Sequence, residues 1–104
     1  MSNEPLSEQY RLIAKEWVSA DAAANILEET KSSVLSQMMV KLGDMPVSRA
    51  EMQVKASEEW TTFLTVMVNA RERANLMKVK TEWIRMQFNE WQSAEATKRA
   101  EMKL

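Results

Sequence analysis

Apolar residues recur at helical spacing along nearly the whole chain. Ala56, Trp60, Phe63, Met67, Ala70, Ala74, Met77, Thr81, Ile84, Phe88 and Trp91 follow one another at alternating steps of four and three, and only Thr81 is polar. This is the 3.5-residue repeat of a helix packed lengthwise on another helix. A second stripe runs through Tyr10, Ile13, Trp17, Ala20, Ala24, Leu27, Lys31, Val34 and Met38, with Lys31 its one misfit. A lysine can occupy such a place by laying its stem on apolar surface and holding its amine in water. The run from Ala20 to Ala24 is mostly small, so a neighbouring helix can come close there.

Punctuation separates the two stripes. Gly43 is the single glycine; Lys41 precedes it and Pro46 follows three residues later. That order marks a helix ending near Leu42. Ser48-Arg49-Ala50-Glu51 reads as a capping box, with Val47 and Met52 at the positions of a hydrophobic staple. Ser7, followed by Glu8, is the expected cap of the first helix.

The expected organisation is therefore a single domain over residues 1–104: helix 1 about 7–42, a turn at 43–47, and helix 2 about 48–100. After Ser48 no Gly or Pro interrupts the sequence. A continuous second helix would reach about 85 Å at 1.5 Å per residue. Its weakest stretch is Asn69 to Asn75, where a kink or break is expected if there is one. Residues 1–6 and 95–104 carry little periodicity and are expected to fray.

A short turn makes the helices antiparallel. Pairing back from the turn sets Tyr10 near Lys80, Trp17 near Arg73 and Leu27 near Phe63, leaving Phe88 and Trp91 overhanging. Residues 1–47 hold seven acids and four bases, residues 48–104 eight acids and ten bases. The halves are thus complementary, and Asp21 should approach Arg71 while Glu16 approaches Arg73. Such exposed pairs set register more than stability. A further apolar stripe on helix 2, Leu64, Val68, Leu76, Val79, Trp83 and Met86, exceeds what helix 1 can cover. The fold class is all-α, a long coiled-coil-like hairpin, expected to be completed to a bundle by dimerisation.

Composition narrows the chemistry. The chain has no Cys and no His. Disulfides, thiolate catalysis and Cys-based zinc sites are excluded, and the commonest general base and metal ligand is missing. Glu28-Glu29 and Glu58-Glu59 are adjacent carboxylates, which point about 100° apart on a helix and cannot form one acid–base dyad. One glycine gives no phosphate-cradling loop. No catalytic residue, metal site or cofactor is therefore expected. No apolar run approaches a bilayer span, and the opening Met1-Ser2-Asn3-Glu4-Pro5 is unlike a signal peptide, so a cytoplasmic location is expected. The mixed signs on the C-terminal helix also argue against a membrane-surface role.

Two surfaces remain as candidates. Trp83, Arg85, Met86, Phe88 and Trp91 form an aromatic and methionine-rich stretch suited to a protein partner or a second copy of the chain. Arg71, Lys78 and Arg85, within a basic run that includes Arg73 and Lys80, are the alternative: nucleic-acid contacts, with Trp83 stacking on a base. Glu72 and Glu82 interrupt that run, and the pI is near 5.5.

The segments Val68-Asn69-Ala70-Arg71-Glu72 and Glu90-Trp91-Gln92-Ser93-Ala94-Glu95-Ala96-Thr97-Lys98-Arg99-Ala100-Glu101-Met102 resemble small uncharacterised helical proteins of bacteriophages and prophages. The likeness covers the C-terminal third and transfers no functional residue. It implies a small phage accessory protein, an inhibitor or binder of a host or phage protein such as a defence nuclease or recombination enzyme. The secreted helical-hairpin family is a poorer comparison, because the turn reads Gly43-Asp44-Met45-Pro46 and lacks that family's Trp-x-Gly motif.

Overall fold

The computed structural model describes residues 4–102. Three helices follow one another: α1 (Leu6–Lys41), α2 (Val47–Lys55) and α3 (Glu58–Met102). α1 and α3 lie along each other as a long hairpin, and α2 touches both at the closed end. The molecule measures 83 × 22 × 18 Å.

Prolines, rather than serines, open the first two helices. Pro5 caps α1, its carbonyl accepting from the N–H groups of Glu8 and Gln9 at 3.0 Å. Pro46 caps α2 in the same way, accepting from Ala50 at 3.0 Å. Ser7 and Ser48, the expected caps, therefore fall inside the first turns, two residues beyond the actual ones, and no side-chain cap bond forms at either helix start. A proline's fixed φ holds the chain in the extended geometry that precedes a helix. Glu51 does not reach back to Ser48 but pairs with Lys55 at 2.8 Å. At the other end of α1, Gly43 has φ +87, the left-handed geometry its sequence position implies.

The break in the return arm falls at Ala56–Ser57 and not within 69–75. Ser57 supplies the reason. Its hydroxyl donates to the Val54 carbonyl at 2.6 Å and accepts from the Trp60 N–H at 3.3 Å, finishing α2 and capping α3 with one side chain. Glu58 and Glu59 then occupy the first turn of α3, where negative charge is favoured. Ala56, the expected first member of the long stripe, is the exposed C-cap of α2.

α3 runs without interruption through Asn69–Asn75, because this stretch is the tightest part of the seam. Ala24 (0% exposed) and Ala74 (1%) form the central cluster with Ala20 and Met77, against which Ile13, Trp17 and Ala70 pack. The buried residues of α3 are Trp60, Ala74, Met77, Thr81 and Ile84, all members of the stripe read from the sequence. Thr81 is accommodated by donating its hydroxyl to the Met77 carbonyl at 2.8 Å, and among the described residues no buried side-chain polar atom is left unsatisfied. Ala50, Val54 and Trp60 are buried at the closed end.

Because α2 uses chain at that end, the return arm pairs about one turn later than a continuous hairpin would. Tyr10 shares a cleft with Ile84, Arg85 and Phe88 instead of meeting Lys80. Phe88 is therefore half-buried beside Leu6 and Tyr10 and does not overhang. Beyond Trp91 α3 keeps helical geometry to Met102, through Ala, Glu, Lys and Arg positions that favour it. The fraying expected of residues 1–3 and 103–104 lies outside the described residues.

Candidate protein-binding face

Every seam residue of α3 between Ala74 and Ile84 has an apolar residue two places further on. Leu76, Val79, Trp83 and Met86 follow Ala74, Met77, Thr81 and Ile84. Two places on a helix is a rotation of about 200°, so these four side chains stand on the side of α3 facing away from α1. Their exposure agrees with this: Trp83 and Met86 are 59% exposed and Leu76 53%. The strip spans about 15 Å at 1.5 Å per residue. Glu72 and Glu90 sit on its line one step beyond each end and limit it to about three turns.

The expected aromatic anchors divide between two environments. Trp83 and Met86 belong to the outer strip. Phe88 and Arg85 line a cleft of about 270 Å³ with Leu6, Ser7, Tyr10 and Ile84, nearer the α1 side. Trp91 is 54% exposed and lies against Phe88, ring centroids 6.0 Å apart, where a wider hollow opens toward Glu4, Pro5 and Gln9. The five residues Trp83, Arg85, Met86, Phe88 and Trp91 thus wrap around the helix instead of sharing one face. Leu76 and Val79 complete the strip, and their signal was the second periodicity rather than aromatic content.

Charges around the strip are also divided. Arg71 is engaged with α1: it meets Asp21 at 2.7 Å, Glu28 at 2.8 Å and Asn25 at 2.6 Å. These bonds hold the Glu28 carboxyl below the usual carboxylate range and push the guanidinium pKa upward. The expected Asp21–Arg71 pairing is therefore present. Glu16 and Arg73 line one shallow groove with Ala20 and Ala70 but do not close to an ion pair. Among the described residues, Arg73, Lys78, Lys80 and Arg85 form no ion pair. By helical position Arg73 and Lys80 border one edge of the strip. Glu82 with Asn75 and Asn89 borders the other, and Lys78 and Arg85 stand behind them.

Among the described residues no cluster of three or more acidic side chains could hold a metal ion, and no helix is long and apolar enough to cross a membrane. No protein family, curated protein or solved structure matches this chain.

Proposed function

We propose that this chain is a non-enzymatic protein-binding module whose recognition surface is the C-terminal half of α3. The observation that supports it is the apolar strip on the side of α3 that α1 does not cover, with Trp83 at 59% exposure within it. Leaving large apolar side chains in water forgoes about 1.5–3 kcal/mol each, so a partner able to cover several gains substantially. Tryptophan and methionine suit such a surface, the first as an anchor and the second as an adaptable contact. Trp91 extends the apolar area toward the end of the molecule, where α3 outruns the start of α1.

We further propose a phage accessory or inhibitory role, acting in the cytoplasm on a host or phage protein; what supports it is the resemblance of the C-terminal third to small helical phage and prophage proteins. Completion of the hairpin to a bundle by a second copy is the same physics applied to self-recognition.

Light scattering over a concentration series, run on the wild-type chain and on Trp83→Ala/Met86→Ala, is the first test. A monomer that captures a defined partner, with capture lost in the double variant and helix content retained, supports the module. Unfolding of the double variant would show that these residues are core and would remove the proposed surface.

A second reading draws on the four cations without ion pairs. If they contact nucleic acid, binding should weaken steeply with salt and fall in Lys78→Ala/Arg85→Ala. Arg71, once part of that set, is already held by Asp21 and Glu28.

A further inference from the structure

We infer that the strip from Leu76 to Met86 receives an acidic amphipathic helix of about three turns, supplied by a partner protein. This rests on the protein-binding reading above and adds the chemistry of the partner.

Length is the first argument. The strip holds four apolar residues at steps of three, four and three, and Glu72 and Glu90 occupy the next positions on its line. A helix laid along it therefore finds apolar contact for about three turns and a carboxylate at either end. A coiled coil of two long helices would need three or more heptads of apolar residues. A short helix presenting apolar residues at i, i+3 and i+7 matches the spacing.

Charge is the second. From Arg73 to Arg85 the sequence carries four cations and one carboxylate, Glu82; Arg73 and Lys80 border the strip, while Lys78 and Arg85 stand behind its other edge, Arg85 lining the cleft toward α1. None of the four cations is paired, whereas Arg71, two residues before Arg73, has its carboxylates supplied by α1. An incoming helix with acidic flanks would give the remaining cations what α1 gives Arg71. Long Arg and Lys side chains can reach over the edges of such a helix while their stems cover its apolar side.

The same charges disfavour a second copy of α3 as the occupant. In an antiparallel pair like edges face each other, so a register centred on the strip sets Lys80 beside Lys80 and Glu82 beside Glu82. Like charges across an interface oppose association. α1 is no better suited: its exposed Leu12, Ile26 and Val40 lie fourteen residues apart and Val18 stands off their line, so they form no continuous stripe. Nucleic acid fits less well, because the middle of the face is apolar and Glu82 interrupts the cations.

The test uses the full chain and two fluorescent, hydrocarbon-stapled peptides of about 14 residues, roughly four turns at 3.6 residues per turn. Both carry Leu at i, i+3 and i+7; one is flanked by Glu, the other by Lys. Binding is read by anisotropy at low and high salt. The Glu-flanked peptide should bind about tenfold more tightly at low salt, and the gap should narrow at high salt. Trp83→Ala should abolish binding, and Arg73→Glu/Lys80→Glu should reverse the preference. Equal binding of both peptides, still lost in Trp83→Ala, would overturn the acidic partner while leaving the face a protein-binding surface. Absence of binding by either peptide would overturn the inference. So would a concentration-dependent dimer that Leu76→Glu dissociates, or single-stranded DNA bound more tightly than the acidic peptide.

Discussion

Arg71 of α3 grips Glu28 of α1 with two parallel bonds, Nε to Oε2 and Nη2 to Oε1, both 2.8 Å. The remaining nitrogen, Nη1, reaches Asp21 one face-repeat earlier at 2.7 Å. One side chain therefore spans two turns of the opposite helix. A hairpin whose seam is lined by alanines can slide with little steric penalty, and a planar fork with two fixed targets opposes sliding. Arg71→Lys keeps the charge but loses the fork. We expect it to lower the thermal midpoint almost as far as Arg71→Met does, with Glu28→Gln adding little in either background. Circular dichroism melts of the four variants check this, and full rescue by lysine would show that only charge matters.

The same contact sets a pH dependence. Glu28 has its carboxyl held below the usual range, first by its hydrogen bonds to Arg71. A depressed folded-state value contributes stability that is present above the unfolded value, about 4.3, and is lost as pH falls through the lower folded value. Melting temperature should therefore fall on acidification below about pH 4.3, and Glu28→Gln should flatten that part of the curve. An unchanged acid limb in the variant would show that the pair contributes nothing in solution.

How far the sequence revealed this molecule can be judged from the same residues. The Asp21–Arg71 pair was legible because two stripes of regular spacing and one glycine define an antiparallel seam and its edges. The seam itself was legible for the same reason, down to the buried Thr81. The break at Ser57 was not, since a serine inside an unbroken apolar repeat looks like any exposed helix position. Only its tertiary setting lets it cap α3 and so turn α2 across the hairpin end. That miss displaced the pairing by about a turn and hid the shelter of Phe88 beside Leu6 and Tyr10. The strip of Leu76, Val79, Trp83 and Met86 was legible as a second periodicity on the return arm, and the seam then fixed that this side of α3 faces outward.

Ser57 offers a direct test of that account. Ser57→Ala removes the acceptor for the Trp60 N–H and should cost about 1 kcal/mol, the usual worth of an N-cap. It also removes the donor to the Val54 carbonyl that finishes α2. Amide exchange in residues 47–55 should speed up, while exchange along the seam stays slow. Equal protection in α2 would show that the short helix is held by its packing alone.

The seam alanines predict sensitivity to size. Ala24 is fully buried and Ala74 nearly so, in the same cluster. Enlarging either to leucine must push the helices apart, at about 1–3 kcal/mol for an overpacked core. Thr81→Val, by contrast, keeps the shape and removes only a hydroxyl whose acceptor is the Met77 carbonyl, a backbone group of the helix. It should be neutral or slightly stabilising. Urea denaturation of the three variants separates the cases, and a large loss in Thr81→Val would mean that the hydroxyl holds α3 in a shape the backbone alone does not keep.

Two tryptophans on one helix should behave in opposite ways. Trp60 is 4% exposed and stacks with Phe63 at 5.6 Å; Trp83 is 59% exposed on the outer strip. Trp60→Ala opens a cavity where α2 meets the hairpin and should cost about 3–5 kcal/mol, enough to unfold a chain of this size near body temperature. Trp83→Ala removes a side chain that the free chain leaves mostly exposed and should stay within about 0.5 kcal/mol of wild type. Its intrinsic fluorescence should also respond to iodide quenching in the wild type, while that of Trp60 should not. If Trp83→Ala instead destabilises the isolated chain as much as Trp60→Ala does, the outer strip is covered in solution, and the surface assigned to a partner is already occupied.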